Sequence, residues 1–223
     1  SDLVRDLPAD CAPLRGAPKH VLDGSLFIGA AILIGLAIGS FLNVVIHRLP
    51  RMMENEWRGQ CAELEGRPAQ ELGRYNLLVP RSQCPACGTP IRARDNIPVV
   101  SWLLLGGKCA HCKAPISARY PIVELLTAAL SGLIAWRFGL GWPTALILVF
   151  TWTLTALTFI DADTTLLPDD LTLPLLWLGL FANLAGLMPG VTLRDAVLGA
   201  VIGYLALWII YWAFKLATGK EGM

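Results

Sequence analysis

Four cysteines stand in two pairs, Cys84-Pro-Ala-Cys87 and Cys109-Ala-His-Cys112, with 21 residues between the pairs. A Cys-x-x-Cys turn offers two thiolates to one ion, and two such turns close a tetrahedral site of four thiolates, the pattern of a structural zinc knuckle. Gly88 and Lys113 directly follow the second cysteine of each pair, where the chain has to turn its backbone N–H groups toward sulfur. Four thiolates leave no open position for water, which favours a structural ion over a catalytic one. Redox exchange through the pairs stays open, although no thioredoxin-like βαβ pattern surrounds them. His111 reads as a spectator inside its knuckle, and Cys11 and Cys61 have no partner in this pattern.

A second chemical cluster is acidic. The segment Phe159-Ile-Asp-Ala-Asp-Thr-Thr-Leu-Leu-Pro-Asp-Asp-Leu-Thr-Leu-Pro174 packs Asp161, Asp163, Asp169 and Asp170 into ten residues between two apolar runs. A carboxylate at the edge of a membrane is costly and marks a functional candidate, and burial there would raise its proton affinity. Proteolysis, ion transport and helix capping all remain open for Asp161 from the residues alone. Asp163 fits a solvated turn, and Asp169 or Asp170, after Pro168, fits a helix cap.

The elements that must position these groups follow from composition. The chain has 223 residues, 55% hydrophobic and 16% charged, with a mean hydropathy of +0.56. Soluble domains carry about a quarter charged residues, so this is a membrane protein. Eighteen basic against seventeen acidic residues leave a net charge of +1, with no overall basic field to draw nucleic acid. Stretches nearly free of charge, each approaching the roughly 20 residues a span requires, lie at 25–46, 120–136, 140–160, 171–193 and 196–214. The first lacks a basic region directly before it and a small-residue cleavage site after it, unlike a cleaved signal peptide. Gly29, Gly35 and Gly39, with Ala30, Ala31 and Ala37, suit it to close helix packing.

Eleven of the eighteen Lys and Arg residues fall between the first two spans, Arg48, Arg51 and Arg119 among them near the span ends. By the positive-inside rule that loop faces the cytoplasm. The acidic link and the C-terminal tail then fall on the same side. The expected architecture is an all-α polytopic membrane protein, a helical bundle of about five spans with a cytoplasmic zinc-ribbon-like loop. It divides into a polar segment 1–24, whose first 20 residues are expected to be loosely ordered, a first transmembrane helix 25–46, a loop 47–119 whose residues 51–81 read as a solvated insertion, and a transmembrane bundle 120–223.

Taken together, Gly39-Ser-Phe-Leu-Asn-Val-Val-Ile-His-Arg-Leu-Pro50, the cysteine pairs, Arg119-Tyr-Pro-Ile-Val-Glu-Leu-Leu-Thr127, and Phe159-Ile-Asp-Ala-Asp with Leu-Leu-Pro-Asp169 resemble bacterial prepilin peptidases. The motifs occur in the family's order across about residues 20–223. The resemblance implies an inner-membrane aspartic endopeptidase of type IV pilus and type II secretion systems. Such an enzyme cleaves the basic leaders of prepilins and pseudopilins at the cytoplasmic face, then methylates the new N-terminus from S-adenosylmethionine. Asp161 matches the first catalytic aspartate. The family's second lies in a Gly-x-Gly-Asp motif after a Thr-Gly-Lys-Glu-Gly-Met stretch. The sequence ends at Thr218-Gly-Lys-Glu-Gly-Met223, so the resemblance implies little peptidase activity for these residues alone.

No Gly-x-Gly-x-x-Gly context accompanies the methyl-transfer assignment. Its expected cofactor contacts are Asn43, Arg48 and Arg119. Glu124 is expected to receive the amine of a processed pilin, with an ion pair to Arg119, a helix N-terminal acid and that functional role weighed alike. Asp163, Asp169 and Asp170 are expected to meet the basic leader, and Cys84, Cys87, Cys109 and Cys112 to hold structural zinc. The expected partners are thus prepilins, pseudopilins and the lipid bilayer, without nucleic acid. A zinc-ribbon membrane scaffold of a pilus or secretion assembly is the alternative. A cation transporter using Asp161 is weaker, because the other spans offer no ionisable partner near mid-membrane.

Overall fold

The computed structural model describes residues 20–67, 75–188 and 190–219. The expectations for the N-terminal segment before residue 20, Cys11 included, and for the final Lys220–Met223 stretch lie outside the described residues. Among the described residues six α-helices follow in order: α1 (His20–Leu64), α2 (Val100–Leu104), α3 (Arg119–Phe138), α4 (Trp142–Thr164), α5 (Asp169–Leu184) and α6 (Leu193–Thr218), with a 3-10 turn at Ala93–Asn96. Among the described residues there is no strand, only two isolated antiparallel bridges, Gln83 with Pro90 and Lys108 with Pro115. The chain is an all-α polytopic membrane protein: α1, α3, α4 and α6 are each long and apolar enough to cross a bilayer.

Two elements differ from expectation. The first described helix, α1, does not stop at Ile46 but continues through Pro50 to Leu64, 45 residues in all. At 1.5 Å per residue it spans about 68 Å, more than twice a hydrocarbon core of about 30 Å. The first part of the expected solvated insertion is therefore a helical extension. It ends where Gly66 adopts φ +66° and the Gly66 and Arg67 N–H groups turn back to the Glu63 and Ala62 carbonyls at 3.1 and 2.9 Å, a Schellman stop.

The second difference is α5, only 16 residues long, or about 24 Å. The uncharged run 171–193 holds a helix terminator that charge alone does not reveal. Gly186 has φ +67°, and the Gly186 and Leu187 N–H groups return to the Asn183 and Ala182 carbonyls at 3.1 and 2.9 Å. The chain restarts at Thr192, whose hydroxyl accepts from the Asp195 N–H at 3.2 Å while the Asp195 carboxylate accepts from the Thr192 N–H at 3.3 Å, a reciprocal cap on α6.

The bundle is held where α1 meets α3. A Cβ at Gly39 would fall 2.7 Å from the Glu124 Cα, and one at Gly35 2.8 Å from the Ala128 Cα, so these backbones touch only because both positions lack a side chain. From α3, Gly132 returns the favour to Ile32. One turn onward, Leu42, Val45, Ile46 and Leu49 of α1 bury against Val123 of α3 and Ala156 and Ile160 of α4. The polar groups in this seam are satisfied: Thr127 and Ser131 donate back to the Val123 and Thr127 carbonyls, both at 2.7 Å, and Trp152 Nε1 donates to Ser131 Oγ at 2.9 Å. Outward-facing positions such as Ile122, Leu133, Ile202 and Leu207 stay exposed, as lipid-facing positions require. Gly39→Ala should destabilise the bundle by about 1–3 kcal/mol through overpacking, whereas Gly29→Ala, with nothing near its Cβ, should stay within about 0.5 kcal/mol of the parent; thermal unfolding in detergent checks both.

Candidate functional site

The two cysteine pairs fold as copies of one turn. Cys84 N–H donates to the Thr89 carbonyl at 3.0 Å and Cys109 N–H to that of Ala114 at 2.8 Å. Gly88 and Lys113 N–H groups then return to the Cys84 and Cys109 carbonyls at 2.9 and 3.1 Å. Both residues sit in the left-handed region, at φ +68° and +61°. Glycine adopts that region freely and lysine does not, so only the first knuckle carries the residue its geometry favours. The Ile91 and Ile116 N–H groups close the two turns on Ser82 and Gly107.

These turns bring the Sγ atoms of Cys84, Cys87, Cys109 and Cys112 within 4.8 Å of one another. Cys84 and Cys112 lie 3.8 Å apart, close to the edge of about 3.8 Å that a tetrahedron with zinc–sulfur bonds of 2.3 Å would have. The donor set fits zinc. Cys84 and Cys109 are buried while Cys87 and Cys112 face solvent. The Thr89 hydroxyl and backbone beside Cys87 pull its thiol down to about 6. Although the Ala114 N–H opposes it, local desolvation and the neighbouring sulfurs push the Cys112 thiol up to about 11. His111 reaches sulfur only through its backbone, whose N–H donates to Cys109 Sγ at 3.4 Å.

Between the knuckles, α2 anchors this lobe. Trp102 Nε1 donates to the Ile116 carbonyl at 3.2 Å, and its ring covers Gly107, where a Cβ would come within 2.9 Å. The Ser101 hydroxyl accepts from the Ile97 N–H at 3.0 Å and donates to the Arg94 carbonyl at 2.9 Å. At Val99 the backbone makes a tight three-residue turn, φ +59° and ψ −48°, with the Val100 N–H 2.5 Å from the Pro98 carbonyl. This conformation is strained for a β-branched residue.

The carboxylate of Glu124 holds that turn. Its Oε2 accepts from the Val99 N–H at 2.7 Å, with the Ser40 side chain also hydrogen-bonded to it, and the residue is buried against Gly39. Glu124 thus ties the knuckle lobe to the α1–α3 seam, and the ion pair with Arg119 considered for it does not form among the described residues. Nearby, Asn43 Nδ2 donates to the Tyr120 carbonyl at 3.1 Å. Arg48 is buried and donates to the Asn76 and Pro80 carbonyls at 2.9 and 2.6 Å, with its guanidinium 5.8 Å from the centre of the Tyr75 ring. Residues 75–80 of the expected insertion are therefore fastened to α1 at this arginine, while its residues 68–74 lie outside the described residues.

At the same end of the bundle, α4 finishes and α5 begins. Asp161 is exposed and its carboxylate has no hydrogen bond or ion pair among the described residues. Asp163, expected in a solvated turn, is instead in the last turn of α4, paired with Arg119 at 2.5 Å. Pro168 is the cap residue of α5 and contributes no side-chain bond. Asp169 and Asp170 are therefore not caps; they are exposed in the first turn, where the positive pole of the helix favours acids. Val99 and the Thr192–Asp195 cap escaped the sequence reading. The Thr-x-x-Asp spacing signals the latter, whereas nothing in a valine signals a left-handed backbone.

Fold and site define a helical membrane protein that carries four clustered thiols able to hold a metal ion, together with carboxylates at one end of its bundle. Residues 33–138 match the family model described as the bacterial peptidase A24 N-terminal domain, and residues 148–223 match the type IV leader peptidase family. A prepilin leader peptidase/N-methyltransferase of Pseudomonas aeruginosa is 57% identical over 198 residues, which cover 88% of this chain and 68% of that protein. Proteins of the same name from Aeromonas hydrophila, 57% identical over 89% of this chain and 68% of its own length, and Neisseria gonorrhoeae, 54% over 86% and 68%, are similarly close. The chain belongs to the prepilin leader peptidase/N-methyltransferase family. The expected enzyme class, a membrane endopeptidase joined to an N-methyltransferase, agrees with those names. No solved structure matches.

The knuckle geometry makes a direct prediction. The protein should carry one zinc per chain by elemental mass spectrometry, and Cys84→Ser or Cys109→Ser should weaken binding by more than the roughly 10- to 100-fold loss of an outer hydrogen-bond partner. Because binding must displace the thiol protons, with Cys87 lowered to about 6 and Cys112 raised to about 11, uptake by metal-free protein should weaken progressively as pH falls.

Proposed function

We propose that this chain works as an inner-membrane prepilin leader peptidase and N-methyltransferase, cleaving the basic leaders of prepilins and pseudopilins at the cytoplasmic face and then methylating the exposed N-terminal amine. The observation that carries the reading is Asp161: a solvent-facing, unpaired carboxylate at the end of a membrane helix, in a chain of this family. The basic residues of the loop support the cytoplasmic orientation.

In an aspartic peptidase two carboxyl groups share one proton; one activates water while the other protonates the leaving amine. Asp161 supplies one of them. Asp169 and Asp170 carry no ion pair among the described residues and lie at the start of α5, which suits them to a basic leader. Asp163 and Glu124 border the same region, with their oxygens already engaged by Arg119 and Val99.

The zinc role is structural, because a fourth thiolate occupies the position a catalytic zinc keeps for water. It would brace the lobe that Glu124 and Arg48 fasten to the bundle. S-adenosylmethionine, when bound, supplies an electrophilic methyl group. Asn43 and Arg48 lie along the α1 edge suited to it, and Arg119, expected beside them, has its guanidinium turned to α4.

Asp161→Asn keeps size and removes the charge, so prepilin processing by the enzyme in its membrane should fall by roughly 10²- to 10⁴-fold, the range for losing an acid–base group. Intact-mass measurement of a prepilin substrate reads cleavage and methylation together. Full processing by Asp161→Asn would remove Asp161 from the chemistry, and absence of processing by the parent enzyme would favour a zinc-ribbon membrane scaffold.

A further inference from the structure

Arg119 and Asp163 each stand at the unfavourable end of a helix. Arg119 opens α3 and Asp163 lies in the last turn of α4, so each charge meets a helix pole of its own sign. Exchanging the two residues would satisfy both poles and keep the ion pair. A half-exposed pair contributes little to stability in any case, so stability does not account for this arrangement.

The contact is nevertheless extensive. Arg119 NH1 lies 2.6 and 2.5 Å from the two Asp163 oxygens, NH2 donates to the Phe159 carbonyl at 3.2 Å, and the guanidinium sits 5.2 Å from the Phe159 ring centre. Phe159 and Asp163 are four residues apart and share one face of α4, while Asp161, midway between them, projects about 200° away. One guanidinium therefore grips the face of α4 behind Asp161 and leaves the Asp161 face open to solvent.

We propose that Arg119 is a positioning residue for Asp161, clamping the final turn of α4 so that the carboxylate is held in one place. The inference rests on the reading of Asp161 as a catalytic carboxylate. Helix ends fray because their last carbonyls lack helical partners, and here Asp161 and Asp163 place two negative charges beside a negative pole. The Arg119 cation offsets both and adds a donor to the Phe159 carbonyl. Since Arg119 follows the second knuckle by seven residues, and its N–H donates to Ser117 Oγ at 3.2 Å, the clamp also links the metal lobe to the turn that carries Asp161.

The test compares Arg119→Ala, Arg119→Lys, Arg119→Asp, the exchanged pair Arg119→Asp with Asp163→Arg, and Asp161→Asn in the membrane-embedded enzyme. Cleavage kcat and KM, and methyl transfer to a pre-cleaved peptide, are measured separately. Arg119→Ala should lower cleavage kcat by at least about 10-fold, as for a misplaced reacting group, with KM and methyl transfer each changed by less than about 3-fold. Arg119→Lys should retain part of the rate, Arg119→Asp should be the slowest, and the exchanged pair should recover most of it. Hydrogen exchange at residues 159–165 should accelerate in Arg119→Ala and return toward the parent rate in the exchanged pair.

Unchanged cleavage in Arg119→Ala, or an exchanged pair that folds yet stays as slow as Arg119→Asp, would overturn the proposal. Lost methyl transfer with intact cleavage would also overturn it and make Arg119 a contact of the methyl donor. Cleavage by Asp161→Asn would remove the underlying reading instead, and the exchange rates at residues 159–165 would still show whether the clamp exists.

Discussion

A Cβ at Gly39 would come within 2.7 Å of the Glu124 Cα, so α1 and α3 meet only because that position has none. The rest of the site hangs on this approach. It buries Glu124 in the seam, where the carboxylate can reach the Val99 N–H, and it brings Asn43 against the Tyr120 carbonyl. Hydrocarbon outside the bundle offers helices no hydrophobic gain from pairing, so contact rests on close packing and hydrogen bonds. The glycine seam supplies the first, and Thr127, Ser131 and Trp152 supply the second.

Most of the charged and polar groups at this end of the bundle join two elements rather than facing water alone. Arg48 joins α1 to the segment before the first knuckle, Glu124 joins α3 to α2, and Arg119 joins α3 to α4. A buried carboxylate or guanidinium without such partners would carry a large desolvation cost. Asp161 contrasts with all three, being exposed and unengaged. A carboxylate surrounded by neighbours that are each held in place is available for chemistry, and its neighbours define where it sits.

Some of this was legible in the residues. Cys-x-x-Cys turns are local, so their spacing announced the cluster of four thiols, and apolar length announced the membrane helices. The extent of α1 was not legible, because a proline and a change to charged residues both suggest a boundary, yet α1 continues through Pro50. In α5 the error ran the other way: an uncharged run hid the backbone turn at Gly186. The pairing of Arg119 with Asp163 joins residues 44 apart in sequence, and only the antiparallel packing of α3 and α4 brings them together. Glu124, five residues from Arg119, looked the nearer partner by sequence and is directed to Val99 instead.

The strained turn at Val99 shows how the metal lobe and the membrane helices depend on each other. A valine at φ +59° costs on the order of 1–3 kcal/mol and persists only if its surroundings impose it. Glu124 imposes it from the membrane side through the Val99 N–H, while Trp102 and Ser101, just beyond, are fixed by the Ile116 and Arg94 carbonyls on the knuckle side. Ile116 closes the second knuckle on Gly107 and stands three residues before Arg119. Hydrogen bonds and chain connectivity therefore run from the second knuckle, through Ile116 and the start of α3, to the last turn of α4. A metal ion held by the four thiols would brace the first link of that path, and with it the turn that carries the carboxylate at its far end.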